Sequence, residues 1–250
     1  MPPIGEPFYV LDHVDSTNLH AMRLADSPDV GHGTVFFARS QYAGKGQRGR
    51  RWEAAPDSSI LMSVVVDPSA SHPECGFPLS MAVALAGSDW LRRHLGPEAL
   101  VKWPNDLYWQ DRKIGGILIE NIRRGQHCRR SVVGIGVNVN QQHFAPSLPN
   151  PVSLRQATGQ RYDPILLAGE LCGYLEQRIR LLATGQVDGL LAAYNERLYG
   201  KGRSLQFQAF DGYFTAQVQE VDAEGILTIC RPEAVRYRFG ELTFQPPLLP

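Results

Sequence analysis

The chain has few lysines, few cysteines and no long apolar run among its 250 residues. Its longest apolar segment, residues 60–66, contains one serine and falls far short of the roughly 18 apolar residues that a membrane-spanning helix requires. Residues 1–7 lack the basic and apolar regions of a secretory signal. We therefore expect no membrane segment and a cytoplasmic protein.

Only four cysteines are present, namely Cys75, Cys128, Cys172 and Cys230. None of them belongs to a C-x-x-C pair, and their wide spacing argues against both a small disulfide framework and a clustered zinc site. We expect reduced thiols that are mostly buried.

The charge balance is neutral, with 25 basic and 25 acidic side chains. This balance argues against a protein that coats nucleic acid, because such affinity comes mainly from clustered Lys and Arg. Arginine supplies 21 of the basic residues, and the four lysines are Lys45, Lys102, Lys113 and Lys201. The first three lie inside the motifs described below. Since lysine and arginine are not interchangeable where a compact charge must reach one oxygen atom, this placement indicates a site.

Apolar periodicity predicts mixed strands and helices up to about residue 200 and only short strands thereafter. The predicted early strands cover 8–11, 33–41, 59–66, 100–103, 107–110, 113–122 and 132–139. One predicted helix follows the N-cap chemistry of residues 15–18, with Leu19, Met22 and Ala25 at helical spacing. The other predicted helices cover 78–95, 153–158, 165–183 and 190–198. The late strands cover 204–209, 213–220, 226–231 and 235–239. We therefore predict an α+β domain over 1–200 and a small β-barrel domain over 201–250.

Residues 44–52 form the densest motif, with three glycines and four cations in nine positions. Glycines let backbone N–H groups approach a ligand and the cations neutralise it, so the motif suits an anionic substrate. The segment also matches the dinucleotide pattern G-x-G-x-x-G. We reject that interpretation because a polar, proline-containing stretch and a strand follow instead of a helix. A solvated basic loop is the simpler alternative.

A second motif, residues 102–106, ends a strand and is followed by Lys113 across a hairpin. A lysine on each side of the hairpin can converge on one anion. The structural alternatives are core packing for Trp103 and a turn cap for Asn105 and Asp106. A third segment, residues 134–140, alternates two glycines with apolar residues and also contains Asn138 and Asn140. The structural alternative for this segment is an ordinary strand end.

Together these segments make the sequence resemble the biotin protein ligases, which attach biotin to the carrier domains of carboxylases. The motifs occur in the family's order: Asp15-Ser16-Thr17-Asn18, Gln41 with 44–52, 102–106 with Lys113 and Gly116, 134–138, and Ser153-Leu154. The resemblance runs from about residue 8 into the C-terminal β module. It implies an α+β catalytic domain like that of the class II aminoacyl-tRNA synthetases, followed by an SH3-like β-barrel.

The resemblance also implies roles for the matching residues. The implied catalytic residues are Lys113, Arg50, Lys102 and Asp106. The implied biotin-binding residues are Ser16, Thr17, Asn18, Gln41, Gly44, Lys45, Gly46, Gln47, Lys113 and Gly116. The implied ATP-binding residues are Arg48, Arg50, Trp52, Lys102, Asn105 and Asn138. The family's best-known loop has Arg where this chain has Lys45 and Gln47, so one positive charge is missing at Gln47.

The implied reaction uses ATP to convert biotin into biotinyl-5'-adenylate and then transfers the biotinyl group to a lysine of a biotin carboxyl carrier domain. Mg²⁺ is expected to arrive with the ATP phosphates, and no dedicated metal site is expected, because the sequence shows no dense carboxylate cage. In the transfer step Asp106 would orient or deprotonate the acceptor lysine.

Two other functions are compatible with the sequence. A lipoate or octanoate ligase shares the implied fold, although the basic loop and residues 102–106 favour biotin. A non-catalytic biotin sensor or DNA-binding repressor would carry an N-terminal helix-turn-helix, whereas the first motif begins at Asp15. We therefore expect no DNA binding. The sequence does not decide between a monomer and a homodimer formed through the sheet edge.

Overall fold

The computed structural model describes residues 2–68, 76–125 and 127–245. The strands within these ranges are β1 Phe8–Val14, β2 Val35–Gln41, β3 Ser59–Val66, β4 Ala99–Lys102, β5 Asp106–Trp109, β6 Arg112–Arg124, β7 His127–Asn138, β8 Ser204–Ala209, β9 Gly212–Val221, β10 Leu227–Arg231, β11 Glu233–Tyr237 and β12 Thr243–Phe244. The helices are α1 Thr17–Leu24, α2 Phe77–Leu95, α3 Leu154–Thr158, α4 Pro164–Ala183 and α5 Val187–Glu196, with a 3₁₀ turn at Gln47–Gly49.

The larger sheet has seven strands in the order β1-β2-β3-β7-β6-β5-β4. Strands β1 and β2 are parallel, and the other neighbours are antiparallel. Helices α2 and α4 pack together and bury the main core on one face, while α1 contacts β2, β3 and β7. All eight residues of β3 are buried. Because successive strand side chains point to opposite faces, a strand covered on both sides has the continuous apolar pattern seen in the sequence.

Local side chains set the ends of the helices. Asp163 accepts hydrogen bonds from the N–H groups of Ile165 and Leu166, which begins α4 directly after its cap. Ser153 and Gln156 form a reciprocal capping box at α3. The N-cap prediction for 15–18 is only partly right, because Ser16 occupies the cap position of α1 but makes no side-chain capping bond.

The second sheet has five strands in the order β11-β10-β9-β8-β12, all antiparallel. Its register confirms the short strands expected beyond residue 201, and β12 is an additional strand that the sequence pattern missed. Within the part of the chain that the structure describes, the edge strands β11 and β12 are not paired with each other. The sheet is therefore open here, and the closed barrel stays a prediction.

Trp103 joins the two sheets. Its side chain is buried, its Nε1–H donates to the carbonyl oxygen of Gly225 at 2.9 Å, and its ring lies edge-on to Phe239. Nearby, the ring of Tyr199 contacts that of Phe244. The packing alternative raised for Trp103 is thus the one that the structure supports.

The cysteines depart from the expectation of reduced thiols. Cys128 is disulfide-bonded, so that expectation is wrong at this position, while Cys75 lies outside the described residues. Cys172 and Cys230 are free, and burial raises the pKa of the Cys172 thiol to about 12.

None of the described helices is long and apolar enough to cross a membrane.

The Trp103 bond gives a stability prediction. Trp103→Phe keeps an aromatic ring but removes the donor to the half-buried carbonyl of Gly225, which is expected to lower the free energy of unfolding by about 0.5 to 1.5 kcal/mol in urea titrations. Trp109→Phe is the matched control, because that indole makes a longer bond of 3.3 Å to Leu95 and is half-buried. Equal losses in the two variants would contradict the prediction.

Candidate active site

Two glycines on adjacent strands create a flat surface on the larger sheet. Gly116 of β6 pairs with Gly136 of β7, and the indole of Trp52 lies over both. A Cβ atom added at Gly136 would lie 2.6 Å from the indole, and one at Gly116 would lie 3.3 Å from it. At Gly136 only glycine allows the ring to approach the backbone this closely, while at Gly116 a larger residue would make a tight contact. The indole Nε1 of Trp52 is buried and has no hydrogen-bond partner within the described ranges.

Residues 44–52 form a narrow hairpin that is anchored by Trp52. The N–H of Trp52 donates to Gly44 at 3.0 Å, and the N–H of Gly46 donates to Arg50 at 2.7 Å. At Gly44 an added Cβ would lie 2.4 Å from the Trp52 carbonyl oxygen, so the two sides of the hairpin meet where a larger residue cannot fit. The 3₁₀ turn at its tip places Arg48 in the left-handed region, with φ of 55°. The base of the loop is therefore held by backbone hydrogen bonds, while residues 48–51 at its tip are exposed.

The tip of this hairpin faces the second sheet. The guanidinium of Arg48 lies 5.1 Å from the centre of the Phe239 ring, and an added Cβ at Gly240 would collide with it. Gln47 lines a cavity of about 460 Å³ together with Asn105 and Phe239. Arg48 and Gln47 thus lie between the two sheets, whereas Gly44 and Lys45 lie toward β6.

Buried polar side chains from α1 and β3 form a polar floor, defined here as Thr17, Asn18 and Ser63. The Ser63 hydroxyl lies 2.6 Å from Asn18 Oδ1 and 2.8 Å from Thr17 Oγ1. Gln41 Oε1 accepts the N–H of Thr17 at 2.7 Å. Gly134 makes room for the floor, because a Cβ there would lie 2.2 Å from Asn18 Oδ1. Ser16, at the start of α1, is buried beside it.

Glu120 connects the polar floor to the basic loop. Asn18 Nδ2 donates to Glu120 Oε2 at 2.9 Å, and Lys45 Nζ lies 3.6 Å from Glu120 Oε1. The sequence interpretation missed both Glu120 and Ser63. A polar residue inside the otherwise apolar run of β3 was the available signal for Ser63, whereas Glu120 carries no local signal.

Lys102 on β4 and Lys113 on β6 flank β5, and both lie near Asp106. Lys113 Nζ pairs with Asp106 Oδ1 at 2.6 Å, and its ammonium lies 5.9 Å from the centre of the Trp52 ring. Lys102 Nζ donates to the Tyr108 hydroxyl at 2.9 Å. Burial lowers the pKa of Lys102 to about 8, with Lys113 and Arg50 acting in the same direction and Asp106 opposing them. We call Arg50, Lys102, Lys113 and Asp106 the charged cluster.

Two residues predicted to contact the nucleotide, Asn105 and Asn138, use their side-chain amides for hydrogen bonds within the protein. Asn105 Nδ2 donates to the carbonyl oxygen of Ile117, which ties the hairpin turn to β6. Asn138 is buried, donates to the carbonyl oxygen of Val152 at 3.1 Å and accepts from Gln141 at 3.2 Å. These bonds agree with the structural alternatives of a turn and a strand end. Over residues 2–68, 76–125 and 127–245, no group of three or more His, Cys, Asp or Glu side chains could hold a metal ion.

The sequence profile described as the biotin/lipoate A/B protein ligase family matches residues 10–138, which is more than half of the chain. The chain belongs to this family. The matched region contains the basic loop, the polar floor and the whole charged cluster. The resemblance inferred from the motifs is confirmed.

Named members of the family are similar over much of the chain. A bifunctional ligase/repressor BirA from Bacillus spizizenii is 27% identical over 93% of this chain and 72% of its own length. A biotin--[acetyl-CoA-carboxylase] ligase from Paracoccus denitrificans is 36% identical over 62% of this chain and 65% of its own length. A solved biotin protein ligase from Aquifex aeolicus in complex with biotin and ATP has a TM-score of 0.80 at 22% identity, covering 96% of this chain and 98% of that one. The last comparison establishes the fold.

The close packing of Trp52 on Gly136 predicts that the hairpin will be sensitive to a substitution at this glycine. Gly136→Ala pushes a methyl group into the Trp52 indole, so the hairpin that Trp52 anchors is expected to detach, and tryptic cleavage at Arg48 and Arg50 is expected to become several-fold faster. Gly169→Ala is the control, because that helical glycine has open space around it. Unchanged cleavage of the Gly136 variant would contradict the packing described.

The lowered pKa of Lys102 predicts a pH-dependent stability. Since this pKa is about 8 in the folded chain and about 10.4 in an unfolded one, the unfolded chain binds more protons between these values, and stability rises with pH across that interval. The free energy of unfolding of Lys102→Met is therefore expected to exceed that of the parent protein by the largest margin at pH 7. Its advantage over the parent protein should shrink by about 2 to 3 kcal/mol as the pH approaches 10.5, in urea titrations. A difference between the two proteins that stays constant across this pH interval would contradict the prediction.

Proposed function

We propose that this protein activates biotin with ATP as biotinyl-5'-adenylate and transfers the biotinyl group to a lysine of a biotin carboxyl carrier domain. The observation that carries the proposal is the charged cluster standing beside the glycine surface, with the polar floor at one end and the basic loop above. This arrangement offers separate places for a polar ring, a carboxylate and a phosphate chain. The names of the similar proteins support the choice of biotin.

The first step joins two anions, so it needs positive charge at the meeting point. An oxygen of the biotin carboxylate attacks the α-phosphorus of ATP, the bond to the β-phosphate oxygen breaks, and pyrophosphate leaves with the electron pair. Lys113, at the junction of the glycine surface and the cluster, would hold the carboxylate and the attacked phosphate. Lys102 and Arg50 would hold the remaining phosphate oxygens. Preorganised cations in a partly dry site stabilise the charge that develops there.

The polar floor favours biotin over lipoate and octanoate. The ureido ring of biotin carries two N–H donors and a carbonyl acceptor, and it would find partners in Thr17, Asn18 and Ser63, with Ser16 and Gln41 beside them. The dithiolane ring of lipoate and the end of an octanoyl chain carry none of these groups. Neither one could therefore make the hydrogen bonds that the ureido ring can offer to the polar floor, and that difference favours biotin.

The basic loop would cover the adenylate. A mixed anhydride hydrolyses readily, so excluding water protects it until the acceptor arrives. Gly44, Lys45 and Gly46 would close over the biotin chain, while Arg48 and Trp52 would lie on the nucleotide side. Asn105 and Asn138 would shape that side through the backbone groups they hold. Gln47 carries no charge, so it would contribute only backbone contacts.

Asp106 is suited to the transfer step once Lys113 has turned to the phosphate. The acceptor amine must lose a proton before it attacks the acyl carbon, and the released Asp106 carboxylate could accept it. The amine nitrogen then forms the amide bond, and AMP leaves with the electrons of the anhydride bond. Mg²⁺ would arrive on the ATP phosphates, since phosphate oxygens are ligands it prefers.

The remaining expectations belong to the same proposal. The catalytic domain would be of the class II aminoacyl-tRNA synthetase type, and the second sheet would be an SH3-like barrel beyond about residue 200. The macromolecular partner would be a carboxylase carrier domain rather than DNA or a membrane, with a homodimer as an open possibility. The protein would act in the cytoplasm.

The direct test combines the protein with Mg-ATP, an active biotin carrier domain and biotin, lipoate or octanoate in parallel. We expect a mass gain of one biotinyl group on the carrier, with pyrophosphate release only when biotin is present. A gain with lipoate alone would move the assignment to a lipoate ligase. No gain with any acid, from folded protein, would defeat the proposal.

Lys113 provides the sharpest mutational prediction. Lys113→Ala removes the cation at the reacting phosphate and is expected to slow adenylate formation by a factor of about 10² to 10³ in single-turnover measurements. Lys201→Ala is the matched control, because Lys201 is exposed and lies outside the cluster. Comparable rates in the two variants would contradict the role given to Lys113.

A further inference from the structure

The ammonium group of Lys102 is enclosed by two aromatic rings from different parts of the chain. It lies 4.7 Å from the ring centre of Tyr108 on β5 and 5.2 Å from the ring centre of Phe244 on β12. Both distances fall within the roughly 6 Å range in which a ring quadrupole attracts a cation. Phe244 thus brings the second sheet into direct contact with a lysine of the charged cluster.

We propose that Phe244 is a positioning residue that holds the Lys102 ammonium, charged and correctly aimed, for the phosphates of ATP. The inference rests on the function proposed above, in which Lys102 binds those phosphates. Phe244 itself touches no reacting atom. It would act by fixing the cation on which ATP binding depends.

The surroundings of Phe244 make it a rigid support. The ring is buried and packs edge-on against Phe207 of β8 at 4.8 Å between centres, and Phe244 and Phe207 are also paired in the sheet. It contacts Tyr199 on its other side, at 6.4 Å. Tyr199 donates to Asp111 at 2.7 Å, and Arg203 pairs with the same carboxylate. Each neighbour of the ring is therefore held by a further contact.

The groups that face Lys102 come from four elements. Asp106 and Tyr108 lie on β5, Lys113 lies on β6, Arg50 lies in the basic loop, and β12 contributes the uncharged Phe244. Lys113 and Arg50 repel the ammonium and burial disfavours it. The two rings and Asp106 oppose these effects. Removing the quadrupole of Phe244 while keeping its volume should therefore make Lys102 harder to protonate.

Lysine scarcity allows a direct measurement of this effect. With four lysines in the chain, ¹³Cε-lysine labelling gives four NMR signals to titrate, and Lys102→Arg assigns the signal of interest. Phe244→Met fills similar volume without the ring, and Phe244→Leu is a second variant. We expect the Lys102 titration to move down by about half a unit to one unit in both, and to stay in place in Phe244→Tyr.

Phe214→Leu is the matched control on the same sheet. Phe214 also carries a cation over its ring, Arg231 at 3.7 Å, but it does not contact Lys102. A merely structural loss would affect the two sites alike. We expect the Phe214 variant to leave the Lys102 titration unchanged.

Kinetics connect the titration to the reaction. Phe244→Met is expected to lower kcat/KM for ATP by about fivefold to thirtyfold, to leave the KM for biotin unchanged, and to shift the alkaline limb of the pH profile downward. Phe244→Tyr should keep kcat/KM for ATP, the KM for biotin and the alkaline limb at the values of the parent protein. An unchanged or upward-shifted Lys102 titration in both the Met and Leu variants would overturn the inference. If the parent protein is inactive with biotin while the titration still shifts, the proposed function fails and the contact to Lys102 stands.

Discussion

The site depends on holding several positive charges close together. Lys113 and Arg50 repel the ammonium of Lys102, and Asp106 is the carboxylate of the cluster that attracts it. Burial, followed by this repulsion, lowers the pKa of Lys102. Such an arrangement is unfavourable for the isolated protein, and a bound polyanion would relieve the repulsion. A local cost in stability of this kind is common at functional sites.

The backbone makes this concentration of charge possible. Gly116 and Gly136 remove side chains from two paired strands, and the Trp52 indole occupies the space that results. The indole in turn anchors the hairpin that carries Arg50 of the cluster. From there, contacts continue to the second sheet through Arg48 and Phe239, Trp103 and Gly225, and Lys102 and Phe244. The second sheet therefore supports the site from the side opposite the polar floor.

Much of this could be predicted from the sequence, and the failures share a cause. The strands and helices followed from periodicity and capping residues, and the scarcity of lysine drew attention to Lys102 and Lys113, which both lie near Asp106. Contacts set by tertiary register were not accessible in this way. The pairing of Gly116 with Gly136 depends on strand register, and Phe244 lies on a strand of only two residues that has no periodicity to detect. The buried amide of Asn138 and the disulfide at Cys128 likewise depend on partners distant in the chain.

The central claim is that one continuous site holds a polar ring, an acyl chain and a nucleotide phosphate together. Calorimetric titration with a stable, non-hydrolysable analogue of biotinyl-5'-adenylate tests it most directly. The account predicts one site per chain, an affinity far above that of either biotin or AMP alone, and a marked weakening in Lys113→Ala. An analogue that binds no more tightly than biotin itself would contradict the claim that the polar floor and the charged cluster form a single site.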